Sequence, residues 1–333
     1  VFIGNENGDW FNIERGVHQG APFSMWLYMV FVNDLLDVLC SNSIGVHIND
    51  VNVTSPAHAD DIATMAMYKI GINRLLNLAF EYSLKWQYYY NLDKIVYMRW
   101  GADDSPNIPV VMGGTVVKHV KSWEHVGVTL CTDMAEHKAD IKKRVNKAQG
   151  KLLASKGIGS HSIPVSVTVL SHIYWSVSVP SLTYGYDVLP LSESDIALLD
   201  NAHRKNAKIV QNVSVMAATP APLAPIGWLT MKSYIAMCRI MFCFRLLCTN
   251  DNIYKDILLY RLDNIAMRGY LRPKHPSPVD CMFEALRDYD LVNDLLRVLP
   301  TRTFGLVSTW KGIVKKRVWE YEKLRWSMSI SIY

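Results

Sequence analysis

The amino-acid sequence predicts an α+β fold over its first third and an all-helical fold after that. Three observations carry the prediction. Short strand-like runs punctuated by turn dipeptides fill the first 131 residues, two stretches among them carry a helical apolar period, and beyond about residue 133 only that period remains. Residues 1–131 are therefore expected to form a mixed domain, 132–215 a first helical domain and 216–333 a helical extension.

Val1-Phe2-Ile3, the turn signal Asn7-Gly8 and Trp10-Phe11-Asn12-Ile13 read as strand, turn and strand, followed by a loop from Glu14 to Ala21. From Ser24 to Leu39, Trp26, Leu27, Val30, Phe31, Leu35, Leu36 and Leu39 recur at helical spacing, with Ser24 placed to cap the start. Gly45 to Ile48 and Val51 to Val53 predict a hairpin around Asn49-Asp50. A second hairpin carries His58-Ala59-Asp60-Asp61 between the turn-like Val53-Thr54-Ser55-Pro56 and the apolar run Ile62 to Ala66. A helix through Tyr68 to Tyr89 comes next, then a strand from Ile95 to Trp100. Gly113-Gly114 separates two more strands, and Trp123 to Leu130 is the last. Gly157-Ile158-Gly159, Pro180, Pro190-Leu191-Ser192, Pro220 to Pro225 and Pro273 to Pro278 divide the helices after it, because glycine and proline interrupt a helical ladder.

The 333 residues are 50% apolar and 20% charged, enough for a sizeable core. A net charge of +5 permits a polyanionic partner without requiring one. Six cysteines lack the spacing of a zinc site or a secreted disulfide framework, so free thiols in a reducing compartment are expected. No stretch reads as a membrane span or signal peptide, which points to an intracellular protein, nuclear or cytoplasmic, without a membrane partner. The chain opens on Val1 in strand-like sequence, so a preceding segment is expected.

Asp60 and Asp61 are the strongest candidates for chemistry. Two carboxylates at a tight turn suit a hard divalent cation, Mg2+ or Mn2+, which can organise an in-line attack on a phosphate. Asp also favours turns through its own backbone hydrogen bonds, so an innocent turn is the competing reading. In the helix from Ala135 to Lys156, Ile141, Val145, Ala148 and Leu152 form an apolar stripe. Lys143, Lys147 and Lys151 line another face with Arg144 nearby, suited to a nucleic-acid backbone or simply to solvent. Near the C-terminus Lys311, Lys315, Lys316, Arg317, Lys323 and Arg325 interleave with Trp310, Trp319 and Trp326, where core packing explains the tryptophans more cheaply than base stacking.

Four segments in order extend this reading. They are Gly16-Val17-His18-Gln19-Gly20 running to Ser24, His58-Ala59-Asp60-Asp61, Asn91-Leu92-Asp93-Lys94, and His125-Val126-Gly127. Over the first 130 residues the chain resembles the reverse transcriptase of non-LTR retrotransposons. Tyr174 to Asp187 also resembles the helical region that follows the polymerase domain in those elements. The resemblance implies the C-terminal part of a polymerase palm, an antiparallel sheet with helices, then a helical thumb and extension. It further implies RNA-directed DNA synthesis by two-metal nucleotidyl transfer, with an RNA template, a DNA primer and deoxynucleotides as partners.

By that resemblance Asp60 and Asp61 would hold Mg2+ or Mn2+ at the primer terminus. Gln19 and Gly20 would lie against template and incoming nucleotide, Arg15 would contact phosphate, and Lys94 would sit by the triphosphate as cation or proton donor. Lys143, Lys147 and Lys151 would track the duplex backbone. The chain departs from the family at His58 and His125, which stand where aromatic residues are usual. It also lacks the family's further aspartate ahead of the Gln-Gly segment and the fingers residues, so it is expected to be inactive alone. Two alternatives are a nucleic-acid-binding remnant without catalysis and an unrelated Mg-dependent phosphoesterase using Asp60 and Asp61.

Overall fold

The computed structural model describes residues 2–3, 6–7, 16, 18 and 20–331, without 42, 104, 158–164, 215, 217–221, 251, 272, 274 and 275. The chain forms two compact units, Val1–Val120 and Lys121–Tyr333. Helices and short strands alternate in the first, whereas the second is one hairpin followed by helices, so the α+β class holds.

In the first unit β1 (Phe2–Ile3) pairs antiparallel with β2 (Glu6–Asn7), so Asn7 is a strand residue rather than the turn. The expected partner Trp10 to Ile13 lies outside the described residues. Helix α1 (Ser24–Cys40) buries Val32, Leu35 and Leu39 at the i, i+3, i+7 spacing of one face. Ser24 does not cap it. Phe23 occupies the cap position without a side-chain bond, and the Ser24 hydroxyl turns back to donate to the Ala21 carbonyl at 2.5 Å. Two hairpins follow, β3 (His47–Ile48) with β4 (Val51–Asn52) and β5 (Ala57–His58) with β6 (Asp61–Ile62).

Helix α2 (Lys69–Trp86) stops before the expected Tyr89, because Gln87 takes a left-handed φ of 57° and its N–H closes on the Ser83 and Leu84 carbonyls. The strand expected from Ile95 to Trp100 shrinks to β7 (Val96–Tyr97), which pairs in parallel with β10 (Lys118–His119). Between them β8 (Val111–Met112) and β9 (Thr115–Val116) fold back through Gly113 and Gly114, both at positive φ, as the sequence predicts. The core gathers Leu35 and Leu39 of α1, Leu75, Ala79 and Tyr82 of α2, and Val110, Met112 and Val117. Among the described residues the strands make six two-stranded ladders and not one continuous sheet.

The second unit opens on a correction. Trp123 to Leu130 is not one strand but a hairpin of β11 (Ser122–His125) and β12 (Val128–Cys131), folded at Val126 and Gly127 with φ of 50° and 73°. Two successive positive φ angles make the tight turn that matches strand twist. The hairpin belongs with the helices, which moves the first boundary from 131 to 120. The Thr129 hydroxyl donates to Asp140 at 2.8 Å and the Tyr184 hydroxyl to the Val126 carbonyl at 3.2 Å.

Helix α3 (Met134–Gly157) leads to α4 (Val167–Ile173), a π-helical turn (Tyr174–Ser178) and α5 (Val179–Thr183). Pro180 therefore does not break a helix. It sits in the first turn of α5, where its missing N–H has no partner to lose. Helix α6 (Glu193–Val210) starts with a reciprocal Ser192–Asp195 capping box, and α7 (Met231–Cys248) is capped by Thr230. Helices α8 (Ile253–Met267), α9 (Pro278–Asp288), α10 (Val292–Val298) and α11 (Val307–Ser331) complete the unit. Tyr174, Leu182, Leu199 and Trp228 centre one core; Phe244, Leu286, Trp310 and Val318 centre the other. Tyr234 packs against both, which is why residues 132–215 and 216–333 form one unit and not two. No helix among the described residues is long and apolar enough to cross a membrane.

Candidate functional site

The acid hairpin is built by a two-residue turn. His58 stands opposite Asp61 and Ala57 opposite Ile62, leaving Ala59 and Asp60 as the turn itself, with Ala59 at a φ of 53°. The neighbouring hairpin repeats the device, with Asn49 at 53° followed by Asp50. His58, Asp60 and Asp61 are all exposed, and among the described residues neither carboxylate is in an ion pair. Both keep their oxygens available. His58 shares a cross-strand pair with Asp61, which places the imidazole on Asp61's face of the ladder.

One neighbour escaped the sequence reading. Tyr28 of α1 is half-buried, and its hydroxyl is held above its ordinary titration range first by burial, then by the Asp60 carboxylate and Tyr88. The signal existed, because Tyr28 precedes Val32, Leu35 and Leu39 at i, i+4, i+7, i+11 on the inward stripe of α1. Around it stands a cluster of phenols and rings. The Tyr88 and Tyr90 hydroxyls meet at 3.0 Å, the Tyr82 hydroxyl donates to the Phe31 carbonyl at 3.1 Å, and Phe31 packs edge-on against Tyr82, Trp86 and Tyr88. Burial, the largest cause, pushes Tyr82, Tyr88 and Tyr90 upward too. These phenols stay protonated at neutral pH, so they act as hydrogen-bond donors and not as bases.

The other candidates are more scattered. Lys94 ends a 3₁₀ turn (Leu92–Lys94) that Asn91 caps by accepting the Asp93 N–H at 3.2 Å. It is exposed, and among the described residues no hydrogen bond or ion pair joins it to Asp60 or Asp61. Gly20 is exposed at a φ of 86°, with open space around it, so its turn needs glycine for backbone reasons alone. Arg15 and Gln19 lie outside the described residues.

Two carboxylates supply hard oxygen donors of the kind Mg2+ prefers, but among the described residues no group of three or more His, Cys, Asp or Glu side chains converges to hold a metal. A two-ion centre requires more ligands than Asp60 and Asp61 provide.

In the second unit Lys143 and Lys147 are exposed and Lys151 half-buried along one line of α3, each one turn beyond the last. Arg144 does not join them. It is buried, donates to Asp140 at 2.7 Å and to the Tyr184 carbonyl at 2.7 Å, and lies 5.2 Å over the Tyr186 ring, so it fastens α3 to the segment after α5. A cleft of about 400 Å³ lies at the foot of this helix, lined by Glu124, Glu136, Asp140 and Lys143 among others. Among the described residues no disulfide joins any of the six cysteines, and burial pushes the Cys243 thiol up to about 12, which leaves it unreactive. Comparison with known proteins finds no family model that matches this chain and no curated protein similar to it.

Proposed function

We propose that the chain carries the Asp60–Asp61 portion of an RNA-directed DNA polymerase palm, followed by helical nucleic-acid-binding regions, and that it does not extend primers by itself. The observation that carries the reading is the order of the four segments around the acid turn. Exposed, unpaired carboxylates on a short hairpin are what metal-assisted phosphoryl transfer would draw on, and the incomplete ligand set is the reason for expecting inactivity alone. Template, primer and deoxynucleotides belong to this proposal, as do Mg2+ or Mn2+. Primer extension on a polyadenylate template tests it. The chain alone should give no product, and the chain joined in frame to the polypeptide encoded immediately upstream should give product that Asp60→Asn abolishes. A joined protein that stays inert, or an Asp60→Asn variant as active as its parent, would sink the proposal.

The lysine line on α3 favours a second reading, a nucleic-acid binder without catalysis. Three phosphate contacts to a duplex should contribute about 2.7 to the slope of log affinity against log salt. Replacing Lys143, Lys147 and Lys151 by Gln is expected to remove about that much in filter binding across salt. An unchanged slope would assign the line to solvent.

A further inference from the structure

Helix α11 buries Trp310, Val314, Val318 and Glu322 at successive i+4 steps, which fixes its inner face. On the other side Lys315, Lys316, Trp319, Lys323 and Trp326 fall at i, i+1, i+4, i+8 and i+11, so they share one stripe. Lys311, Lys315, Lys316 and Lys323 are exposed and make no ion pair with described residues. Glu320, an exposed acid on the same helix, faces Arg317 at 3.8 Å. Trp319 and Trp326 are half-buried and meet at 5.8 Å with their rings inclined by 75°, and among the described residues the Trp326 indole N–H has no acceptor.

The expectation that core packing accounts for these tryptophans holds for Trp310, which stacks on Phe244 at 3.8 Å inside the bundle. It accounts only in part for the other two, since a fully buried pair would not sit among three unpaired lysines. Three cations without counter-charges among the described residues, beside an aromatic pair, suit a ligand that is both polyanionic and stackable. Single-stranded nucleic acid has both properties, because each nucleotide brings one phosphate and one accessible π-face, whereas in a duplex the faces are hidden. We propose that this face of α11 is a binding site for single-stranded RNA or DNA. The site does not depend on the Asp60–Asp61 hairpin.

Fluorescence anisotropy of a labelled 20-nucleotide single strand with the full chain tests it, at salt from about 50 to 200 mM. The triple variant Lys315→Gln, Lys316→Gln, Lys323→Gln changes only exposed side chains, and its thermal melt should match the parent's. It is expected to bind on the order of tenfold more weakly at low salt, with a log–log salt slope shallower by about 2, while a blunt duplex of the same length is affected less. No binding by the parent, or an unchanged slope in the variant, overturns the proposal. An equal loss on the duplex overturns the single-strand assignment. A loss confined to phosphatidylserine vesicles would assign the face to a membrane surface instead. Because Asp60→Asn should leave all these curves unmoved, failure here is distinct from failure of the polymerase reading.

Discussion

Lowering the pH from about 6.5 to 4.5 is expected to cost the second unit about 2 kcal/mol through one side chain, His203. The imidazole is completely buried in α6. Its Nε2 lies 2.9 Å from the Leu229 carbonyl, which can only accept, so Nε2 carries the proton. Nδ1 then accepts from the Tyr174 hydroxyl at 2.9 Å. Tyr174, Trp175 and Trp228 pack around the ring, and Tyr174 and Trp228 stack at 4.6 Å. Both nitrogens are satisfied only in the neutral form. Burial holds the native group down at about 3 from 6.5, against an upward pull from the Leu229 carbonyl and with a lesser downward push from the Arg204 guanidinium.

The sign follows from proton counting. Above pH 6.5 neither state binds this proton and the contribution is intact. Between 6.5 and 3 the unfolded chain takes it up while the native chain refuses it, so stability falls with pH throughout that window. Urea melts at several pH values check the slope. The variant His203→Gln removes the titration and keeps hydrogen-bonding capacity, so it should lose stability more slowly than the parent on acidification. Parallel slopes for the two proteins would show that His203 is not the group responsible.

Glu322→Ala is expected to destabilise the C-terminal helices by about 3 kcal/mol. Glu322 is 1% exposed on α11, yet its carboxylate is fully engaged. One oxygen accepts from the Thr230 hydroxyl at 2.7 Å and from the Ser233 hydroxyl at the start of α7; the other accepts from Arg325 at 2.6 Å. The Tyr289 hydroxyl donates to Ser233 at 2.8 Å and extends the network to the end of α9. Truncation to Ala strands two buried hydroxyls and removes the partner of Arg325. That arginine is partly exposed, which lets water recover some of its loss and keeps the cost below that of a fully buried pair. Glu322→Gln keeps an acceptor and should cost nearer 1 kcal/mol. Chemical denaturation of the three proteins checks the order, and an Ala variant as stable as Gln would show that the network contributes packing alone.

Neither His203 nor Glu322 stood out in the sequence. A histidine or glutamate inside a helical period looks the same whether it faces water or the core, because its fate depends on groups such as the Leu229 carbonyl and Thr230 that are distant along the chain. Arg144 shows the same limit from the other side. Its position among lysines suggested a cationic face, but it lies one helical step off their line and turns inward to Asp140 and Tyr184. The hairpin at Val126-Gly127 differs, for a local reason, from the single strand that the sequence predicts. The chain reverses through positive φ angles at Val126 and Gly127, the first on a valine, a residue that rarely adopts one.

The sequence by itself determined the α+β class of the opening third, the helical period of the rest, the Gly113-Gly114 and Asn49-Asp50 turns, and the position of Asp60 and Asp61 at a turn. Each of these depends on residues within a few positions of one another, through backbone preference or side-chain period. Only the tertiary structure decided that Tyr28 stands by Asp60, that the 122–131 hairpin joins the helices, and which cations on α3 and α11 remain unpaired. Those outcomes rest on which surfaces meet after the chain has folded, and burial and charge pairing between distant segments leave no mark on local pattern.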